Sequence, residues 1–343
     1  MKTKIIRYTG RESLLPAADI IRRGGLVAFP TETVYGLGAC ALDGDAAKKI
    51  YEAKGRPSDN PLIVHLSDPD HALRYCRTSP IYDKIARSLM PGPLTVILRK
   101  RAIIPDTVTG GLDTVGIRAP SHPIAHELIE LSEVPIAAPS ANLSGKPSPT
   151  TFAHVYHDLN GRVDAIIDGG SCDFGVESTI IKIEDGVIKL LRPGAVTVEM
   201  LSLFGMKIVI DPAVTQAYQG VPLAPGMKYR HYAPDTPVIL LDGSDRAVYD
   251  FLAEKRDRAV ICFDEDLSYI DGEYVLSCGP SDDSLKQAQR IFSCLRELDG
   301  KKDFHVIYAR MPSRVGIGLA VFNRLIKAAG FQVLNLDNTP TLT

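Results

Sequence analysis

The chain has no tryptophan, no apolar run long enough to cross a bilayer and no block of like charge, and its six cysteines (Cys40, Cys76, Cys172, Cys262, Cys278 and Cys294) never form a C-x-x-C pair. Each absence removes a class of protein. A membrane helix needs about 20 mainly apolar residues, so none is expected. Dispersed cysteines argue against a disulfide framework and a zinc ribbon, and leave the thiols as small buried apolar groups. A net charge of −2 excludes a uniformly basic, duplex-coating protein but leaves room for a local basic cleft. The amino terminus, MKTKIIRYTG, lacks a following apolar stretch with a small-residue cleavage site, so a cytoplasmic protein without a signal peptide is expected. No repeat of fixed period is visible, which sets solenoids and propellers aside.

What is present describes a soluble globular chain: 343 residues, 45% hydrophobic and 23% charged, enough for two cores. Short strands are expected at 25–29, 62–66, 94–99, 115–118, 136–138, 165–168, 178–183 and 187–191, with helices over 45–54 (capped by Asp45) and 81–89. This density of strands implies a large twisted mixed sheet in residues 1–210. Residues 211–236 are punctuated by proline and glycine and read as an interdomain linker. Regular strand and helix alternation in 237–343 predicts a smaller Rossmann-like parallel α/β domain. In the helix expected over 284–298, Leu285, Ala288, Ile291, Leu295 and Leu298 recur at helical spacing. The fold class is α/β throughout.

The chemistry-bearing residues gather where strands end. After the first strand come Thr31, Glu32, Thr33 and Tyr35, placed where an α/β sheet binds ligands, and Gly36 and Gly38, which let backbone approach something closely. The next helix ends in Lys54-Gly55-Arg56. Glycine stops it and leaves two cations on an exposed helix end to converge on one anion, with Asn60 and His65 just beyond. Arg118 closes another strand, and Ala138-Pro139-Ser140-Ala141-Asn142-Leu143-Ser144-Gly145-Lys146-Pro147-Ser148 offers hydroxyls and small residues whose N–H groups can face a phosphate. Its Ser-Gly-Lys is no P-loop, because the G-x-x-x-x-G-K-[ST] spacing is absent and Pro147 stands in place of the helix. Glu177, Ser178 and Thr179, with Arg192-Pro193-Gly194, add further hydroxyls and a guanidinium.

PTETVYGLG, KGRPSDNPLIVH, GIRAP, APSANLSG, STI and LRPG, in this order, resemble the threonylcarbamoyl-AMP synthase family and its YrdC-like catalytic domain; YRHYAP and the trailing α/β domain resemble its long, two-domain branch. The resemblance implies synthesis of threonylcarbamoyl-adenylate and pyrophosphate from L-threonine, bicarbonate and ATP with Mg2+, for modification of tRNA by a downstream threonylcarbamoyl transferase. It implies Lys54 and Arg56 as catalytic cations and Arg56, Asn60, Thr114, Ser140, Ser148, Arg192 and Tyr232 around ATP. Thr33, His65, Arg118, Ala138 through its backbone, and Ser178 would hold threonine. Arg230 and His231 flank Tyr232 in a linker stretch, Pro225 to Pro234, expected to close over the nucleotide. No protein metal site is implied.

Two other classes compete. A concave Lys and Arg cluster suits an RNA backbone without catalysis, but the aromatic rows of single-strand readers are missing. A carbamoyl-adenylate enzyme of the hydrogenase-maturation type shares the YrdC-like module, yet calls for paired C-x-x-C motifs. His122 and His126, four apart, lack a third ligand. His154 and His157 are weaker still as metal ligands. Gly316-Ile317-Gly318 reads as a structural turn before a helix. Glu32 and Glu177 suit either metal or amine binding, or a purely structural role.

Overall fold

A computed structural model describes residues 2–218, 220, 222–227 and 231–337; the linker residues Lys228, Tyr229 and Arg230 lie outside the described residues. The chain divides into two compact units, the first Met1–Ser144, Ser148–Val214 and Tyr218–Lys228, the second Gly145–Pro147, Thr215–Ala217 and Tyr229–Thr343.

The strands of the first unit are β1 (Lys4–Arg7), β2 (Val27–Phe29), β3 (Gly36–Cys40), β4 (Ile63–His65), β5 (Cys76–Arg77), β6 (Leu94–Lys100), β7 (Thr114–Arg118), β8 (Ile136–Ala138), β9 (Ala165–Asp168), β10 (Thr179–Glu184), β11 (Val187–Arg192) and β12 (Lys207–Ile210). They form one mixed sheet of twelve strands in the order β1-β9-β2-β3-β8-β4-β7-β6-β10-β11-β12, with β5 beside β6. The strands are short and apolar because both faces are covered. Helices Leu15–Arg22 and Pro123–Ser132 cover β2 and β9 through Ala17, Ile21, Ile124, Leu128 and Ile129, which meet Val27, Phe29, Ile136 and Ile167. Beyond them, Ile63, Ile97, Ile180 and Leu191 are covered by Ala213, Ala224 and Met227, with Tyr218 and Leu223 alongside. These residues of the expected linker therefore form an apolar strap on the first unit's sheet.

Two expectations change. Residues 36–40, read from sequence as part of a polar loop, form β3, antiparallel to both β2 and β8. The close approach that Gly38 permits is internal: a Cβ there would stand 2.6 Å from Ile136 Cγ2 and 2.7 Å from Phe29 Cε1. The helix Gly44–Lys54 is capped by Asp43, not Asp45, because it is the Asp43 carboxylate that accepts from the N–H groups of Asp45 and Ala46. At the other end Gly55 takes a left-handed φ of 62° and stops the helix.

The second unit contains β13 (Val238–Asp242), β14 (Arg258–Cys262), β15 (Val275–Ser277), β16 (Val306–Arg310) and β17 (Val333–Asn335), all parallel in the order β15-β14-β16-β13-β17. Strands β15 and β17 carry no strong period and escape sequence reading. The helix Ser284–Leu298 forms as its spacing predicts and buries Ala288, Ile291, Leu295 and Leu298, whereas Leu285, in its first turn, is exposed. Before the helix Gly318–Ala328, Gly316 has a φ of 56°, and a Cβ on Gly318 would meet the Ser313 carbonyl oxygen at 2.7 Å, so both glycines serve the turn.

Gly38→Ala should lower stability by about 1–3 kcal/mol, since Phe29 and Ile136 must shift within a packed core. Thermal and urea unfolding measure it, and a change below about 0.5 kcal/mol would contradict the packing described.

Candidate active site

Strand register places the expected site residues. His65 pairs with Arg118 and Ile63 with Gly116 across β4 and β7, Ile97 with Gly116 and Arg99 with Thr114 across β6 and β7, and Thr95 with Ile180 across β6 and β10. Side chains alternate with period two, so His65, Arg118, Thr114, Thr95 and Ile180 share one face. Arg118 and Thr114 stand at opposite ends of β7, about 13 Å apart by strand rise. Thr114, Ile97, Arg99 and Lys182 line a separate cleft of about 360 Å³ with Arg77 and Ser79.

At the Arg118 end the groups expected around threonine are buried. Arg118 Nη2 lies 2.8 Å from Glu32 Oε1 in an ion pair. His65 turns Nδ1 to the Ile63 carbonyl at 3.1 Å, and its ring stands perpendicular to that of Phe29 at 6.3 Å. Burial, and then the Arg118 charge, lower its pKa to about 3, so the ring is neutral at any physiological pH. Thr33 and Thr31 share a hydroxyl contact of 2.8 Å, and the Thr31 hydroxyl donates to the Val34 carbonyl. Ser178 Oγ meets Thr95 Oγ1 at 2.8 Å. Arg192, also buried, donates from Nε to the Ser178 carbonyl, from Nη2 to Ser178 Oγ and from Nη1 to the Pro225 carbonyl of the strap. Gly194 is required beside it, since a Cβ would stand 2.5 Å from Thr179 N. Ala138 ends β8 and pairs with Ile63.

The expected phosphate-facing groups surround the loop after β8. Lys54 is not on an exposed helix end as its sequence position suggested; it is only 2% exposed. Its ammonium donates to the Ser140 carbonyl at 2.5 Å and to the Asn142 carbonyl, and its own carbonyl accepts from Ser144 N. The cause is the fold of the 140–144 loop, whose carbonyls turn toward the helix end and replace water. Arg56 is half-buried, with Nε on the Asn60 carbonyl and Nη2 on the Pro61 carbonyl. Asn60 is buried, and its Oδ1 accepts no hydrogen bond among the described residues. Ser140 Oγ donates to Asn142 Oδ1 at 2.5 Å, and buried Ser148 donates to Glu177 Oε1. Within the second unit, Lys146 pairs with Asp235 at 2.8 Å and Asp299 at 2.9 Å.

Tyr232 belongs to the second unit. Its ring lies 5.2 Å from that of Phe292 and 5.5 Å from the Arg324 guanidinium, at a positive φ of 64°. The geometry thus gathers Thr33, His65, Arg118 and Ser178 near one strand end and Lys54, Ser140 and Asn142 around one loop of the first unit. Sequence reasoning missed Thr95, and singled out Asn142 only as a member of the loop after the 136–138 strand. A lone threonine within the apolar run LTVIL is a signal for the first; only the fold brings the Asn142 carbonyl to Lys54. His122 caps a helix through Nδ1, and His126 lies 3.8 Å from Glu130; neither belongs to a metal-ligand group among the described residues.

Buried guanidinium and ammonium groups beside hydroxyls, at the ends of an α/β sheet's strands, define a site for anionic substrates. Comparison with known proteins narrows this. A family model described as "Telomere recombination" matches residues 19–194, and one described as "Threonylcarbamoyl-AMP synthase, C-terminal domain" matches 196–330. The threonylcarbamoyl-AMP synthase of Pyrococcus abyssi is 44% identical over 329 residues, covering 93% of this chain and 95% of its own. That of Bacillus subtilis is 45% identical over 335 residues, covering 95% of each. A crystal structure of the Pyrococcus abyssi protein complexed with L-threonine superposes with a TM-score of 0.91 at 43% identity, covering 98% of this chain and 99% of that one. The chain belongs to the threonylcarbamoyl-AMP synthase family.

The depressed His65 pKa makes a stability prediction. Between about pH 3 and the usual 6.5 the unfolded chain holds a proton on this ring and the folded chain does not, so stability falls as pH falls, by up to about 1.4 kcal/mol per unit. His65→Gln should remove that contribution. Urea unfolding of both proteins from pH 4.5 to 7 should give a shallower acid loss for the variant, and identical slopes would contradict a buried neutral ring.

Proposed function

We propose that this chain makes threonylcarbamoyl-AMP and pyrophosphate from L-threonine, bicarbonate and ATP, as a cytoplasmic step in N6-threonylcarbamoyladenosine formation on tRNA. The observation that carries this reading is identity of 44–45% over nearly the whole of both chains with proteins of that name, joined to motif residues that meet in the fold. Among the described residues no helix is long and apolar enough to cross a membrane. The labile product passes to a threonylcarbamoyl transferase acting on tRNA.

The chemistry asks for alignment more than for a protein nucleophile. Threonine's amine adds to bicarbonate-derived carbon dioxide, and the resulting carbamate attacks the α-phosphorus of ATP and expels pyrophosphate. Two anions must be held together, with fixed cations where charge develops. Arg118 offers threonine's carboxylate a planar fork, and Thr33, His65, Ser178 and the Ala138 backbone complete its pocket. Neutral His65 serves as a hydrogen-bonding group and not as a charge. Arg56, Asn60, Thr114, Ser140, Ser148 and Arg192 receive ATP, which brings Mg2+ on its phosphate oxygens. Lys54 acts both on the phosphates and by fixing the Ser140 and Asn142 carbonyls, the contacts the structure displays. In this reading the strap residues Ala213, Ala224 and Met227 lie in a segment that covers the nucleotide and excludes water. Arg192 joins the strap to the site through Pro225, and Tyr232's positive φ is a strained conformation of the kind found at functional segments.

Arg56→Ala should retain a near-native thermal melt and lose two to three orders of magnitude in product formation, about 3–4 kcal/mol of barrier. Lys54→Ala should lose activity and also melt lower, because the loop carbonyls lose their donor. Mass spectrometry of the adenylate formed from ATP, bicarbonate and a panel of amino acids reads both substrate and rate. Absence of a threonylcarbamoyl-adenylate peak for the wild type would refute the activity, and Arg56→Ala within about threefold of wild type would refute its role.

ATP with threonine should slow proteolytic cleavage around Arg230, and a chain ending at Ile210 should bind ATP more weakly. Equal cleavage rates with a fully active truncated chain would refute the cover.

A further inference from the structure

Glu32 and Arg118 form an ion pair closed to solvent, with side-chain exposures of 2% and 5% and a separation of 2.8 Å. The contact is charge against charge without hydrogen-bond alignment. Among the described residues neither oxygen of Glu32 accepts a hydrogen bond, and Nε and Nη2 of Arg118 donate none. Buried polar atoms in folded proteins are nearly always satisfied, and charged ones most of all. Four such atoms on two touching side chains are the mark of a partner that carries both a donor and an acceptor.

The neighbours are otherwise committed. Glu177 accepts from Ser148, Ser178 is held by Arg192 and Thr95, and Thr33 is held by Thr31. Cys172, beside both members of the pair, is kept a neutral thiol by burial, which raises its pKa to about 12, and His65 is neutral. Glu32 is thus a carboxylate at this strand end that meets the Arg118 charge but accepts no hydrogen bond on either oxygen among the described residues. An α-amino acid zwitterion carries its charges on groups attached to one carbon, so it can meet a carboxylate and a guanidinium that are themselves in contact.

We propose that Glu32 receives the α-ammonium of threonine while Arg118 receives its carboxylate, the substrate inserting its two charges between them. The assignment rests on the reading of Arg118 given under the proposed function. Before threonine arrives the pair neutralises itself. A plain carboxylate that drew Arg118 away would leave Glu32 buried and uncompensated, a strongly unfavourable state. Only a ligand with an ammonium beside its carboxylate restores both charges, so the pair selects α-amino acids over other small anions and presents the amine at a fixed place for carbamate formation.

The test compares L-threonine with (R)-3-hydroxybutyrate, which lacks only the amine, by isothermal titration calorimetry on wild type, Glu32→Gln and Glu32→Asp. The wild type should prefer threonine by roughly a hundredfold or more, as sites do whose own buried polar groups would go unpaired. Glu32→Gln should shrink that preference at least tenfold, chiefly through weaker threonine binding, and Glu32→Asp should keep part of it. A merely structural role would weaken both ligands alike and leave the ratio unchanged. An unchanged ratio in Glu32→Gln, with threonine still bound, overturns the assignment alone. Should Glu32→Gln melt, the wild type decides: threonine and (R)-3-hydroxybutyrate bound within threefold of each other overturns it. No threonine binding by the wild type overturns the activity and this assignment together.

Discussion

Burying Lys54, Arg118 and Arg192 takes three positive charges out of water, a cost of several kcal/mol each unless oxygen atoms replace the lost hydration. The first unit is arranged around that need. Lys54 is met by carbonyls from the loop after β8, Arg192 by the turn into β10 and by the strap, and Arg118 by the carboxylate of the loop after β2. Each cation thereby ties together segments distant in sequence, and sets their spacing as tightly as apolar packing does. The same groups that fix the fold are those proposed to meet the substrates, so shape and chemistry are read here from one arrangement of charge.

Polarity along the sheet follows from this arrangement. Strand β7 carries Arg118 at one end and Thr114 at the other, with Gly116 between them on the same face. The space over Gly116 is filled by Thr95, Ile63 and Ile97, so the two ends of the strand are separate environments.

Much of this was legible in the sequence, because strand ends announce themselves by a change from apolar runs to polar loops. The edges of β4, β6, β7, β8 and β10 lie within a residue or two of where apolar alternation stops, and the residues just past them are those the fold brings together. The rest depended on tertiary context. GLGAC lacks the bulk of a typical strand, and β3 exists because Phe29 and Ile136 occupy the space its glycines leave. Asp43 and Asp45 are equivalent as caps until the backbone chooses one. Lys54 at a helix end has the pattern of a solvated residue, and only the loop folding onto it makes it a buried one. Glu32 was ambiguous for the same reason: its partner lies 86 positions along the chain.

The strap is held on the sheet by aliphatic contact: Ala213, Ala224 and Met227 against Ile63, Ile97, Ile180 and Leu191. Apolar contact near room temperature is entropic in origin and weakens on cooling, while the charge-assisted contacts beneath it do not share that dependence. The two layers therefore respond differently to a cold environment. Chilling weakens the aliphatic part of the docking and leaves the Arg192 bond to the Pro225 carbonyl, so the segment carries a thermal sensitivity set by seven apolar side chains and open to evolutionary adjustment one methyl group at a time.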